Sequence, residues 1–208
     1  MAEVIVVKHP LIDHALTVLR DVKTGKADFV HYTRIVSLIV FIEATKCLRV
    51  RTKKIHTPLA PFSGKQIDDT LKFVAILRAG QAMVESLDGY VPDAPIGFIG
   101  LKRNEKTAVA AKYYEHLPTI RSTDRIILFD PMLATGGSKD QAITLLKKRG
   151  AKDILALSIV AAPEGVRRIQ THHPDVSIFT AAIDLRLNSK KYIVPGLGDF
   201  GDRYFGTT

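Results

Sequence analysis

The sequence predicts one α/β domain built on a mainly parallel sheet flanked by helices, and three observations predict it. Short apolar runs at 73–77, 126–129 and 154–162 end in turn signals, as strands buried on both faces do. Segments with apolar residues at helical spacing separate such runs. Strand, helix and strand across 126–162 make one βαβ unit, for which a right-handed crossover is the rule. A length of 208 residues fits a single domain, 1–208, without internal repeats or a low-complexity linker.

Hydrophobic residues make up 46% and charged residues 25%, which supports a core and argues against disorder. The single cysteine, Cys47, excludes an internal disulfide and reads as a small apolar residue on a helix. With no signal peptide in view, it points to the cytoplasm. The longest apolar run, 35–42, is broken by Ser37 and is too short to span a bilayer, so no membrane partner is expected. Lys and Arg total 30 against 21 acids, a net charge of +9. The basic residues are scattered, apart from Arg49, Arg51, Lys53 and Lys54, and no aromatic-and-basic motif interleaves them. Small anionic substrates are favoured over nucleic acid.

In chain order, 3–7 is a short apolar run ended by His9-Pro10. Pro10 opens a helix carried by Leu11, Ile12, Ala15, Leu16 and Leu19 and ended by Lys23-Thr24-Gly25. Asp28 is placed to cap a second helix, along which Tyr32, Ile35, Val36, Ile39, Val40 and Cys47 trace one stripe, and an apolar helix of this kind can also serve a subunit interface. The β-branched content there also permits a strand, and length decides for helix. Residues 48–57 alternate like a half-exposed strand, and 58–65 read as loop. The strand at 73–77 leads into Arg78-Ala79-Gly80, a charge and a glycine suited to an anion. The strand at 95–101 ends at Lys102-Arg103, 104–111 is polar and small like a flap, and Tyr113-Tyr114 begins a returning strand. After the central strand, Ile143, Leu145 and Leu146 lie on a helix ended by Lys147, Lys148, Arg149 and Gly150. Strand 154–162, helix 163–172 and strand 176–183 follow. His172-His173 is a poor metal site, because adjacent helical positions point apart and no acid or thiol stands at ligand spacing.

The chemistry concentrates where strand 126–129 ends. Asp130 sits at the carboxyl end of a parallel strand, where open α/β sheets bind ligands. Thr135, Gly136, Gly137 and Ser138 then offer hydroxyls and open N–H groups at a helix N-terminus, which suits a phosphate. A carboxylate beside a phosphate cradle suits a ribose diol. The plain alternative is an ordinary strand–turn–helix corner with a capping hydroxyl. The tail from 192 to 208 is no ordinary terminus. It carries Gly196, Gly198, Gly201 and Gly206, the acids Asp199 and Asp202, Arg203, and aromatics that include Phe200, Tyr204 and Phe205. A glycine-rich loop held by aromatics lets backbone approach a flat ligand.

Asp130-Pro131-Met132-Leu133-Ala134-Thr135-Gly136-Gly137-Ser138 resembles the 5-phosphoribosyl-1-pyrophosphate (PRPP) motif of type I phosphoribosyltransferases. With Pro131 where most members carry a second acid, it is similar to the form in the uracil phosphoribosyltransferase family. Leu77-Arg78-Ala79-Gly80 is similar to the family's pyrophosphate loop, with Gln81 and Ala82 departing from it, and Lys102-Arg103-Asn104 retains the family's Arg. The tail from Ile193 to Arg203 is similar to its uracil-binding tail, and the likeness runs from Lys8 to Thr207. It implies a type I phosphoribosyltransferase fold with five strands, a β flap and a C-terminal base-binding hood. It implies transfer from PRPP to uracil, giving UMP and diphosphate in pyrimidine salvage. It assigns PRPP to Arg78, Arg103, Asp130, Pro131, Met132, Leu133, Ala134, Thr135, Gly136, Gly137, Ser138 and Asp199. It assigns uracil to Ile193, Gly198, Asp199 and Phe200, and catalysis to Asp130, Arg103 and Asp199. Mg²⁺ is expected through PRPP with no dedicated protein cage. A homodimer or homotetramer is expected, with GTP as a candidate effector. Two rivals share the fold: an RNA-binding attenuation regulator, which Pro131 opposes, and a dead uracil or nucleotide sensor, which the retained Asp130, Arg103 and Thr135-Gly136-Gly137 oppose.

Overall fold

The computed structural model describes residues 3–87, 89–103 and 110–207. The chain begins with β1 (Val4–Val6), α1 (Pro10–Arg20) and α2 (Lys26–Ala44), then a 3-10 turn at Thr45–Cys47. It continues through β2 (Val50–His56), β3 (Pro61–Ile67), β4 (Leu71–Leu77), α3 (Gly80–Glu85), β5 (Ile96–Arg103) and β6 (Ala110–His116). The βαβ unit is β7 (Arg125–Phe129), the short β8 (Met132–Leu133), α4 (Gly137–Lys148) and β9 (Asp153–Ala161). Then come α5 (Pro163–His172), β10 (Ser177–Ile183), β11 (Arg186–Leu187), β12 (Ile193–Val194) and α6 (Phe200–Phe205).

The main sheet runs β1-β10-β9-β7-β4-β5-β6, with β8 beside β9, and every pairing but β5–β6 is parallel. The five expected strands are its centre. β1 adds a sixth parallel strand at one edge, because Val4–Val6 pairs with Ile178–Thr180, and β6 returns antiparallel at the other.

Side chains alternate across the pleat, so each central strand feeds two cores. Phe73, Ala75, Ile127, Phe129, Leu155 and Leu157 face the helices α1, α2 and α3, while Val74, Ile76, Ile126, Leu128, Ile154 and Ala156 face α4 and α5. Phe41, Phe73 and Phe129 stack edge to face in series, with centroids 5.7 and 5.3 Å apart. Burial on both faces is why these strands read as unbroken apolar runs.

Four expectations change. Residues 61–67 are a strand, not loop: β2 and β3 pair antiparallel, with Val50 opposite Ile67 and Ile55 opposite Phe62. Pro61 and Gly64 hid it, and cross-strand pairing outweighs their low strand propensity. Gly25, not Asp28, caps α2, leaving Asp28 in its first turn. Cys47 lies beyond the helix in the 3-10 turn and is exposed. His172 and His173 do meet an acid. His173 is the C-cap of α5 with φ −136°, so the chain turns there and both rings reach Asp140, at 3.0 and 2.8 Å.

Candidate functional site

The strands β4, β5, β7 and β9 run parallel, so their carboxyl ends share one edge of the sheet. A cleft of about 200 Å³ opens there, lined by Arg78 and Ala79 after β4, Leu101 of β5, and Asp130 with Met132 to Lys139 after β7. Asp130 follows β7 directly, and its N–H donates to the Leu157 carbonyl (3.2 Å). Burial pushes its carboxyl up; Lys139 and the Met132 N–H pull it back. Pro131 is buried outside the lining, its carbonyl accepting from Ile159 and Val160 N–H at 2.9 and 3.0 Å. That pair of bonds holds the chain against β9, where β8 continues before the loop to α4 begins.

The loop reaches α4 through Gly136, whose φ of 78° is left-handed and favours glycine. Gly136 is the N-cap and no side chain caps the helix, so Ser and Thr are not its capping groups. Among the first amides, the Gly137 N–H reaches Thr135 Oγ1 at 3.5 Å. Gly165 of α5 supports the loop from below. A Cβ there would stand 2.5 Å from the Ala134 carbonyl and 2.8 Å from that of Leu133. Two further features hold this corner. Lys139 is 1% exposed and lies under Asp130. Asp140 accepts from Arg168 Nε at 2.8 Å as well as meeting the two histidines. Burial raises the Asp140 carboxyl, but hydrogen bonds from Arg168, His172 and His173 outweigh it and hold the group below its ordinary value.

A second cavity, of about 690 Å³, adjoins the first and shares Ala79, Met132 and Ala134 with it. Its other walls are Ser189 to Ile193 and Gly198 to Gly201. The Asp199 side chain caps α6 by accepting from the Asp202 N–H at 3.0 Å. Phe200 touches the cavity but is only 2% exposed: its ring packs on Phe29 and Tyr204, with centroids 5.5 and 5.7 Å away. The tail is bolted to the first helices. Arg20 forks onto Asp184 at 2.7 and 2.8 Å and also donates to the Gly196 carbonyl. Arg203 donates to the Leu19, Leu197 and Asp21 carbonyls and lies 4.4 Å over the Phe29 ring.

The structure puts Asp130, the 132–138 loop and Arg78 on one cleft, and Ile193, Gly198, Asp199 and Phe200 on its neighbour, so Asp199, which the sequence-based reading expected at both PRPP and uracil, lines only the second. Arg78 lies 3.9 Å from Asp202 and 5.9 Å from the Phe205 ring centroid, so it stands between the cleft and the tail. Arg103 ends β5, but its side chain and residues 104–109 of the expected flap lie outside the described residues. The reading missed Ser189 to Tyr192, Lys139 and Asp140. For Lys139 a signal existed: it shares helical phase with the buried Ala142, Ile143 and Leu146.

The family model for uracil phosphoribosyltransferase matches residues 6–207. The chain belongs to the uracil phosphoribosyltransferase family. A uracil phosphoribosyltransferase from Dictyoglomus thermophilum is 47% identical over 98% of this chain and 99% of its own. The structure of the AQ2163 protein from Aquifex aeolicus is 34% identical and superposes with a TM-score of 0.93 over 99% of both chains. Adenine phosphoribosyl transferase from Trypanosoma brucei, 13% identical, shares the fold with a TM-score of 0.61 over 92% of this chain and 88% of its own. The uracil phosphoribosyltransferase family thus includes this chain along its whole length, from β1 to α6.

Proposed function

We propose that the protein transfers the 5-phosphoribosyl group of PRPP to uracil, forming UMP and releasing diphosphate. The observation that carries this reading is the junction of the two cavities through Ala79, Met132 and Ala134. An anion cradle at a helix N-terminus adjoins a larger pocket walled by glycine-rich backbone. Such a pair accommodates a sugar phosphate on one side and a flat base on the other, with the anomeric carbon between them.

In this reading the N–H groups and hydroxyls of Ala134 to Ser138 hold the 5-phosphate, and Asp130 accepts from the ribose diol. Arg78 and Arg103 take the diphosphate. A uracil nitrogen bonds to the anomeric carbon as the bond to diphosphate breaks. Positive charge grows on the sugar and negative charge on the leaving group, so the site acts by positioning and by charge stabilisation. No covalent nucleophile is required. Among the described residues no cluster of three or more His, Cys, Asp or Glu could hold an ion. Mg²⁺ would be carried by oxygens of PRPP and water, with exposed Asp199 as the carboxylate that would add a protein ligand. The ion would neutralise charge on the departing diphosphate.

The tail would read uracil through backbone. Phe200 is turned into the core, which leaves its peptide and those of Ile193 and Gly198 for the base. A cytoplasmic homo-oligomer fits the single cysteine and the apolar flank of α2, while a GTP effector rests on the family resemblance alone. Labelled uracil, PRPP and Mg²⁺ test the reading directly. UMP should form, and folded protein that makes none would overturn it.

A further inference from the structure

We propose that Lys139 is a positioning residue for the sugar phosphate: its buried ammonium pins the backbone under Asp130 and places positive charge beneath the cleft. This rests on the PRPP reading above. Lys139 follows Ser138 in the first turn of α4 and points back under the sheet edge. Its Nζ donates to the Asp130 carbonyl (3.2 Å), to the Leu157 carbonyl (3.0 Å) and to Ser158 Oγ. Ser158 in turn donates to the same Asp130 carbonyl at 2.8 Å. Two donors therefore fix one peptide oxygen, and the ammonium ties the end of β7 to β9.

All three hydrogen-bond acceptors are neutral. A cation this deep without a carboxylate in its hydrogen-bond shell is costly, and a Met or Leu would fill the space at less cost. The charge therefore needs a use beyond packing. The acid that acts on it is Asp130, whose own backbone carbonyl the ammonium holds at the end of β7. β9 presents only the Leu157 carbonyl and Ser158, Arg78 shares the cleft from the loop after β4, and Asp140 on the same helix is taken up by Arg168, His172 and His173. The ammonium thus favours Asp130 as a carboxylate, ready to accept from a diol, and attracts a phosphate above it. Burial lowers Lys139 to about 8, with Asp130 pulling it back up, so the proton that supplies this charge is lost in mildly alkaline solution.

Calorimetric titration of ribose 5-phosphate tests this, at about pH 7 and about pH 9, on the wild type, on Lys139→Met and on the double variant Lys139→Val, Ser158→Val. At the lower pH both variants should bind about tenfold more weakly, the scale of one partly screened charge. Their uracil KM should not change. Affinity of the wild type should fall between the two pH values, and that of the variants should not fall with it. Equal affinity in a folded variant, or the same pH slope in all three proteins, would overturn the proposal. If Lys139→Met does not fold, the double variant decides, since it leaves no orphaned hydroxyl. Lys139-dependent binding without UMP formation by the wild type would uphold the inference and remove the uracil reading. UMP formation with unchanged variants would do the reverse.

Discussion

At the scale of single residues, function turns on where a charge is allowed to sit. Asp130 stands at a strand end with its carboxyl raised by burial and restrained by Lys139. Burial on balance raises that carboxyl, and Lys139 is the charge that favours its ionised, accepting form. Asp130→Asn keeps the shape but replaces a charged acceptor with an amide that also donates. Activity should fall by about 1.5–3 kcal/mol for each charged hydrogen bond lost, read as kcat/KM for PRPP. Near-normal turnover and PRPP affinity would remove Asp130 from the diol. Arg103 ends β5, the strand whose Leu101 lines the same cleft. If it closes on diphosphate, Arg103→Ala should raise the KM for PRPP far more than that for uracil. A shift in uracil saturation instead would put the flap on the other ligand.

At the scale of elements, packing decides which groups reach the ligand. α6 is a short helix held against α2 by Phe200, and that ring is spent on Phe29 and Tyr204. Phe200→Ala should cost about 3–5 kcal/mol of stability, as truncating a buried Phe does. It should leave base choice intact, because a side chain facing the core cannot read a base edge. Cytosine offers an amino group where uracil offers O4, and its N3 carries no proton, so backbone partners would be left unpaired. Each costs about 1–3 kcal/mol, and rejection on the order of 10⁴-fold is attainable. Kinetics of the variant with both bases decide it, and appreciable cytosine use would assign specificity to the ring. The α4–α5 contact carries a different signature. Asp140 is held below its ordinary value of 3.8, so its stabilising effect is present above that pH and lost as pH falls through the lower, folded value. Asp140→Asn should therefore lower Tm near neutrality, and the gap to wild type should close in acid. A constant gap down to about pH 2 would show that the carboxylate charge is not what holds α5 to α4.

At the scale of the whole molecule, apolar surface remains uncovered. Ile42 on α2 is 52% exposed, and the β2–β3 hairpin presents Val50, Ile55, Phe62 and Ile67 to solvent. Flanks of this kind usually meet a partner, and in a symmetric assembly the partner is a second copy. Sedimentation at micromolar concentration should give a species of two or more chains. A single-chain species alone would refute it.

The amino-acid sequence by itself determined the elements whose residues answer to local rules. Runs such as 126–129 and 154–162 are strands because they are apolar throughout. Helices α1, α4 and α5 follow from periodicity, Pro10, Gly150 and Pro163. The 130–138 and 193–203 segments stood out as candidate ligand sites because of their hydroxyls, glycines and acids, and they line two adjoining cavities. Only the tertiary structure decided the rest, because it depends on partners distant in the chain. The 61–67 strand exists through pairing with 50–56. Asp140 gathers Arg168, His172 and His173 from 28 and more residues away. Lys139 reads as an ordinary surface cation until the Leu157 carbonyl and Ser158 close over it. Spacing along the chain shows which groups can act together locally. Burial and charge environment arise only when strands far apart in sequence lie side by side, and these set whether an acid or an amine is ionised.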